Sequence, residues 1–168
     1  MRSTRTLTLA TAALFAVALA CGVSGCTPVP REGDGSPSAS ELATPAGFEQ
    51  QLPLVGEFVS QGTETVGDVE IVRHDDGTVW AHLSDFSTGS GGDLRLYLNE
   101  GALVKNSEGF WTVDVGTGYE MAGQLAASGT QEIEINGSQS MSQIQSVSVR
   151  DYTGPDYPIL GSAALSSD

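Results

Sequence analysis

The chain offers few side chains that can act as nucleophiles, metal ligands or redox groups. Its two cysteines are Cys21 and Cys26, and its two histidines are His74 and His82. A thiolate can attack a carbonyl, bind a metal or exchange electrons, and a neutral imidazole is the most common metal ligand. Because no cysteine follows Cys26, the rest of the chain has no thiol for a disulfide, a metal site or redox chemistry.

The segment around Cys26 instead predicts attachment to lipid. Two arginines precede an uncharged run at residues 7–20, which is shorter than the ~20 residues of a membrane-spanning helix. This order is typical of a secretory signal peptide. The Val-Ser-Gly-Cys sequence that follows matches a bacterial lipobox, whose cysteine is acylated with chains such as palmitate. We therefore expect a signal peptide at residues 1–25 and, through Cys26, a lipid anchor on the extracytoplasmic side of a bacterial cell membrane.

A secreted protein without lipid is the alternative interpretation. In that case a signal peptidase would cut after the Ala-Leu-Ala sequence at residues 18–20. Cys21 follows these residues directly, but it matches a lipobox less well than Cys26 because Ala18 stands where leucine or valine is usual.

The charge of the chain excludes nucleic acid as a partner. The leader carries two of the seven basic residues and none of the 21 acidic ones, so five basic against 21 acidic residues leave a formal charge of −16. Binding to phosphates needs a basic patch, which five scattered cations do not provide. We interpret the excess of acidic residues as a solvated surface that keeps the protein soluble outside the cell.

Composition divides the remainder of the chain into a linker and a domain. Residues 26–52 are rich in proline, glycine, serine and alanine, which predicts a flexible linker. Residues 53–168 are sufficient for one small domain with its own core.

Within this domain, apolar and polar residues alternate over short segments, which predicts half-buried β-strands. Val79, Ala81 and Leu83 share one face of such a segment, and the sequence His-Asp-Asp-Gly at residues 74–77 is typical of a hairpin turn. The only helical candidate is residues 119–127, and a glycine within it weakens this interpretation. The pattern predicts an all-β domain, arranged as an antiparallel β-sandwich or a barrel.

Five segments of this domain occur in the order of a DM13 domain, and the chain resembles that family over nearly the whole of residues 54–165. The segments are LVGEFVS, TVGDVEIV, LSDFSTGSGGDLRLYL, GQLAASGTQEIEI and SVSVRDYTGPDYPILGSAAL. The most specific parts are GGDLRLYL at residues 91–98 and LGSAAL at residues 160–165. The resemblance implies a β-rich extracellular module, for which electron transfer through a late cysteine, or through a group bound to it, has been proposed.

The cysteine of the family pattern is absent from this chain. It follows the segment SVSV, where this chain has Asp151, or Arg150 if the register shifts by one residue. The resemblance therefore implies electron transfer only if a bound cofactor takes the place of the thiol.

The two histidines are candidate metal ligands. His74 and His82 flank the predicted hairpin turn, and two histidines across a hairpin can supply half of a metal site. A structural site needs three or four ligands, so we favour the alternative that they are partly solvated residues of the turn and its strands. His82 could also ligate a haem iron with Met121 or Met141, but no haem-attachment motif is present. We therefore predict neither a metal nor a cofactor.

Asp85 and Asp93 enclose a segment rich in glycine and serine, which could coordinate calcium through carboxylates and carbonyls. A plain connecting loop is the alternative that we favour, because the 12-residue ligand pattern of a calcium loop is missing. Asp93 and Tyr97 lie in the most specific family motif. Together with Asp85 and His82, they are the positions at which we predict a ligand-binding or structural role.

No catalytic group is predicted. The serines lack a Gly-x-Ser-x-Gly motif, and neither histidine has a positional partner for a triad. Trp80, Tyr97, Trp111 and Tyr119 are interpreted as core or strand-pair residues. We expect a non-enzymatic binding or interaction module at the cell envelope, with membrane lipid and an envelope protein as partners. An electron-transfer accessory protein with a bound cofactor is the alternative, and a metalloenzyme or hydrolase is a more distant one.

Overall fold

The computed structural model describes residues 47–167, except residues 90, 115–117 and 138–139. The predicted signal peptide, both cysteines and most of the predicted linker lie outside the described residues. Within the described part, no helix is long and apolar enough to cross a membrane.

The described part is nearly all β-structure, as the sequence predicted. A short 3-10 helix at Gly47–Gln51 precedes the first strand. The strands are β1 (Leu54–Ser60), β2 (Thr65–Arg73), β3 (Val79–Thr88), β4 (Leu94–Asn99), β5 (Leu103–Lys105), β6 (Trp111–Val113), β7 (Tyr119–Leu125), β8 (Ser128–Glu134), β9 (Ser146–Asp151), β10 (Ile159–Ala164) and β11 (Ser166–Ser167).

Eight of these strands form one antiparallel sheet that curls into a nearly closed barrel. The strand order is β7-β4-β9-β10-β1-β2-β3-β8, and β11 pairs with β1. Only two residues separate β7 from β8, so these outer strands of the sheet lie in contact and nearly close the barrel. The strands β5 and β6 form a separate hairpin. Of the two arrangements that the sequence predicted, the barrel-like one is confirmed.

Alternate residues of the strands fill the interior of the barrel, as the period of two predicted. Val79, Ala81 and Leu83 of β3 are at most 5% exposed, whereas Trp80 and His82 on the other face of the strand are half-buried. The other interior residues predicted from the alternation are Leu94, Leu96, Leu98, Ile133, Ile135, Val147 and Val149. Removal of this apolar surface from water is the main driving force for the fold.

The helical candidate at residues 119–127 forms a strand instead, in line with the predicted all-β domain. This segment forms β7 and the turn after it, and β7 pairs with β4 along its whole length. Gly123 lies where the register of this pairing shifts, and a Cβ atom on it would lie 2.7 Å from Cγ2 of Ile133. Pairing with β4 therefore outweighs the local helix preference, which the glycine had already lowered.

The folded domain includes the end of the predicted linker, residues 26–52. Phe48 of the 3-10 helix is fully buried in the core, and its N–H donates to the carbonyl of Met141 at 3.2 Å. Glu49 forms an ion pair with Arg73 of β2 at 2.9 Å. The domain therefore begins before Pro53, where the composition of the sequence had placed its boundary.

The turn predicted at residues 74–77 is confirmed as the hairpin turn between β2 and β3. The N–H of His74 donates to the carbonyl of Thr78 at 2.8 Å, and the N–H of Gly77 donates to the carbonyl of His74 at 2.9 Å. Gly77 has a φ of 88°, which is the conformation that favours glycine in tight hairpins.

Gly67 shapes the same pair of strands near its other end. The register between β2 and β3 shifts at this residue, and its φ is 117°. A Cβ atom here would lie 2.6 Å from Cα of Phe86 and 2.8 Å from the carbonyl oxygen of Ser84. Both neighbours belong to the backbone of β3, so they cannot move aside without disturbing the sheet.

We predict that Gly67→Ala lowers the free energy of unfolding by about 2 kcal/mol or more, because strain in the backbone adds to the clash with β3. Urea unfolding followed by circular dichroism measures the change. Gly154→Ala is the matched control, since no heavy atom lies within 4 Å of its added methyl group, and it should change the free energy by less than about 0.5 kcal/mol. If the two variants are equally stable, the register shift between β2 and β3 does not need a glycine at position 67.

Candidate functional site

All four tyrosines of the chain lie together on the outside of the barrel. The ring of Tyr97 stacks on Tyr152 at 6.1 Å between centroids, and Tyr152 contacts Tyr157 at 4.4 Å. Tyr119 lies 5.9 Å from Tyr97 on the other side. Two arginines lie over these rings. We call the group formed by these four tyrosines with Arg95 and Arg150 the tyrosine–arginine cluster.

The alternation of β4 places the first members of the cluster. The leucines of this strand point into the barrel, so Arg95 and Tyr97 point outward. The neighbouring strand β9 sets Arg150 directly opposite Arg95 and Ser148 opposite Tyr97. Two cations opposite each other repel, so both arginines need compensating contacts.

The loop after β9 brings in the remaining tyrosines. The N–H of Tyr152 donates to the carbonyl of Asp93 at 2.8 Å, and the N–H of Asp151 donates to the carbonyl of Pro158 at 3.1 Å. The loop therefore folds back on itself and lies against the segment that leads into β4. This path brings the ring of Tyr157 against that of Tyr152, at an angle of 32° between the ring planes, although five positions separate them in the sequence.

The two arginines are compensated in different ways. Arg95 forms a two-pronged ion pair with Asp93, with distances of 2.7 and 3.1 Å, and its guanidinium lies 4.1 Å from the centre of the Tyr152 ring. The guanidinium of Arg150 lies over Tyr97 at 4.8 Å and over Tyr119 at 5.1 Å. Cation–π contacts of this kind hold the guanidinium planes in place.

Tyr97 is the buried centre of the cluster, with 7% of its surface exposed. Its hydroxyl group is hydrogen-bonded to that of Tyr152. Burial raises the pKa of Tyr97 to about 12, and the hydrogen bond with Tyr152 adds to this rise, whereas Arg150 and Arg95 oppose it. The phenol of Tyr97 therefore stays protonated over the whole physiological pH range.

The outer face of β4 and β9 beyond the cluster is also buried, and it is polar. Asn99, Ser146 and Ser148 are at most 2% exposed. The side-chain amide of Asn99 donates to the carbonyl of Ser146 at 3.3 Å and to the hydroxyl of Ser148 at 3.2 Å. The hydroxyl of Ser146 donates to the carbonyl of Gly101 at 2.7 Å. Such bonds offset the cost of burying polar groups.

Asp151, which the family resemblance places at the position of the missing cysteine unless the register shifts by one residue to Arg150, borders the cluster. Its carboxylate accepts hydrogen bonds from the N–H and the hydroxyl of Thr153 at 2.9 and 2.6 Å. The hydroxyl of Thr153 in turn accepts a hydrogen bond from the N–H of Gly92. Asp151 therefore fixes the loop that carries Tyr152, which is a structural task rather than a redox one.

Of the positions predicted for a ligand-binding or structural role, Asp93 and Tyr97 meet in the cluster and two do not. The hydrogen bond from Arg95 lowers the pKa of Asp93, so this carboxylate remains charged. Asp85 lies instead in the irregular part of β3, with a φ of 48°. Among the described residues, no three histidine, cysteine or acidic side chains are arranged to hold a metal.

His82 lies outside the cluster with the other histidine. Its ring contacts that of His74 at 5.6 Å, and His74 stacks on Trp80 at 5.8 Å. The two methionines considered as haem ligands are placed elsewhere. The sulfur of Met121 lies 3.8 Å from Nη1 of Arg95, and Met141 is buried in the core.

The interpretation of the aromatic residues as core or strand-pair residues agrees with their contacts, but two of them are also exposed. Tyr119 is 63% exposed and Trp111 is 38% exposed. Trp111 lies opposite Lys105 in the β5–β6 hairpin, with the ammonium group 4.9 Å from the ring centre. Sequence reasoning missed the roles of Tyr152 and Tyr157. The signal was present in the segment DYTGPDY, where two tyrosines flank a Gly-Pro turn.

The surroundings of the tyrosines bear on what the cluster can do chemically. A nearby base makes oxidation of a tyrosine easier, and the hydrogen-bond partner of Tyr97 is another phenol rather than a base. Two guanidinium groups within about 5 Å of the rings disfavour any added positive charge. The exposed rings and the cations can instead contact the carboxylates and aromatic groups of another molecule.

Comparison with known proteins identifies a family. The family model described as "Electron transfer DM13" matches residues 57–157, which is 101 of the 168 residues and contains every member of the cluster. No curated protein and no solved structure matches the chain.

We predict that Tyr97→Phe removes the last step of the alkaline tyrosine titration. In the unfolded chain a tyrosine loses its proton near pH 10, whereas the pKa of folded Tyr97 is about 12. The contribution of Tyr97 to stability is therefore complete below about pH 10 and is lost as the pH rises through about 12. Tyrosinate absorbance and urea unfolding across this window measure both effects. Tyr157→Phe is the control and should retain the titration step near pH 12. If Tyr157→Phe also removes that step, its assignment to Tyr97 is refuted.

Proposed function

We propose that this chain, which belongs to the DM13 family, is a lipid-anchored extracytoplasmic lipoprotein of the bacterial cell envelope, in which the DM13 domain is a non-enzymatic binding module. The observation that carries the proposal is the tyrosine–arginine cluster. It presents Tyr119 and Tyr157, 63% and 47% exposed, around a rigid buried centre.

The leader and the linker support the anchoring. A basic start, an apolar run and a lipobox occur in the required order before Cys26. The 20 residues from 27 to 46 would span about 25 Å as a flexible coil, which is enough to hold the domain clear of lipid headgroups. Two or more acyl chains on Cys26 would provide a stable anchor.

The composition and charge of the cluster support binding to a protein partner. Tyrosine and arginine are enriched among the residues that contribute most to protein–protein affinity. The cluster also contains Arg150, for which the described residues provide no ion-pair partner, so it favours a partner surface with carboxylates. Its side chains are already fixed by mutual contacts, which lowers the entropy lost on binding.

Electron transfer is a second candidate function, and the family description is the observation in its favour. The sequence after Cys26 holds no thiol, so this function requires a bound cofactor. An absorption spectrum of the purified full chain, with mass spectra under native and denaturing conditions, decides between the two functions. A reducible chromophore present in stoichiometric amount would support electron transfer over simple binding.

We predict that Cys26→Ser abolishes lipid attachment, because serine cannot form the thioether to diacylglycerol. Metabolic labelling with palmitate and membrane fractionation measure the loss. Cys21→Ser is the matched control, since it replaces a sulfur by an oxygen in the same way five residues earlier. This variant should remain labelled and membrane-bound. Lipid attachment at Cys26 would be contradicted if Cys21→Ser alone loses the palmitate label. It would also be contradicted if both variants keep the label.

We predict that Tyr157→Ala weakens binding to the envelope partner by at least about tenfold, because loss of a central aromatic contact costs about 2 kcal/mol or more. A photo-reactive amino acid at position 157 would first identify the partner in cells, and the purified pair would then give the dissociation constant. Phe110→Ala is the control, since Phe110 is 67% exposed but lies outside the cluster. An equal effect of both variants would argue against the cluster as the binding surface.

A further inference from the structure

A cavity of about 210 Å³ lies beside the cluster, at the edge where β6, β7, β9 and β10 meet. Val113, Tyr119 and Ile159 give it apolar walls, and Asn99 and Thr112 add polar groups. Arg150 lines the same cavity. The cavity therefore combines a cation with an apolar enclosure, which is the usual composition of a site for a small organic ligand.

The charge of Arg150 is not neutralised by the described part of the protein. The other two arginines there form ion pairs, Arg73 with Glu49 and Arg95 with Asp93. Arg150 has no carboxylate within ion-pair distance among the described residues. Its Nε atom is shielded from solvent and has no hydrogen-bond acceptor there. A charged group without a counter-ion beside apolar walls is costly, so Arg150 favours an added anion in the cavity that it lines.

The surroundings of Arg150 fix its orientation. Its guanidinium lies over the rings of both Tyr97 and Tyr119, at 4.8 and 5.1 Å from their centres. A guanidinium held in this way presents its N–H groups as a planar fork, which matches the two oxygens of a carboxylate. Arg95 lies directly opposite on β4, but its charge is already paired with Asp93, so Arg150 is the arginine open to an added anion.

Size and charge narrow the class of ligand. At about 30 Å³ for each water molecule, the cavity has room for about seven water-sized groups, so the ligand is a small molecule. Among the described residues that line the cavity, Arg150 is the one cation, so the site matches a ligand with a single negative charge. A single carboxylate on a compact apolar or aromatic body fits both conditions.

We propose that this cavity binds a small monocarboxylic acid, with the carboxylate on Arg150 and the apolar body against Tyr119, Val113 and Ile159. The site goes beyond the proposed function and does not depend on a protein partner. No covalent step is involved.

Titration of the full chain with benzoate, followed by calorimetry and by NMR, tests the proposal. Benzamide has the same shape without the charge and should bind at least about tenfold more weakly, because hydrogen bonds to a charged acceptor are the stronger kind. Magnetisation transfer from benzoate to the ring protons of Tyr119 should locate the ligand. Equal binding of both compounds, or no binding of benzoate at millimolar concentration, would overturn the proposal.

Two variants locate the site independently. Arg150→Gln should weaken benzoate binding at least about tenfold, whereas Arg73→Gln removes the same charge from an ion pair on β2 and should leave it within about twofold. Because Arg150→Gln also removes contacts with two tyrosines, Ile159→Trp provides a second test: it fills the cavity, keeps Arg150 and should abolish binding. Circular dichroism checks that each variant is folded. If Arg150→Gln and Ile159→Trp both bind benzoate as tightly as the unmodified protein, the proposed site is refuted. If Tyr157→Ala loses only its binding to the protein partner and still binds benzoate, the proposed site stands.

Discussion

The pairing of β4 with β9 is the constraint on which the rest of the described domain depends. These strands lie inside the sheet, and both of their faces are covered. Leucines and valines fill the barrel on one face, while Asn99, Ser146 and Ser148 are buried on the other. A polar face can be buried only if its donors and acceptors are paired, and the amide of Asn99 provides much of that pairing. The register that satisfies these groups also sets Arg150 opposite Arg95.

The cluster is the consequence of that register for the outer surface. Two opposed arginines would repel, and the structure compensates one with Asp93 and places the other over two tyrosine rings. The loop after β9 completes the arrangement, because the carboxylate of Asp151 holds its first turn. A rigid, positively charged aromatic site therefore lies on a protein whose formal charge is strongly negative. Such a difference in charge between the site and the rest of the surface favours specific binding over non-specific association.

Membership of the DM13 family and the chemistry of this chain point in different directions. The family is described by electron transfer, yet no cysteine follows Cys26, and Asp151 after the strand β9 has a structural role. The neighbouring tyrosines are poor substitutes for a redox group, since cations lie over their rings and the acceptor beside Tyr97 is a phenol. The same features suit recognition of a carboxylate or an aromatic surface. Within one fold, the site rather than the architecture decides the function.

The sequence by itself determined the β-strands, the hairpin at residues 74–77 and the family, because period-two burial and turn chemistry are local properties. It also singled out Asp93 and Tyr97, through a continuous motif. It left a helix open as a candidate at β7, where pairing with β4 overrides a local preference, and it ended the linker too late because the burial of Phe48 depends on distant core residues. Only the tertiary structure brought Tyr152 to Tyr97, and Tyr157 follows through its contact with Tyr152. Tyr97 and Tyr152 are 55 positions apart, and strand register, which no local pattern specifies, decides which side chains meet.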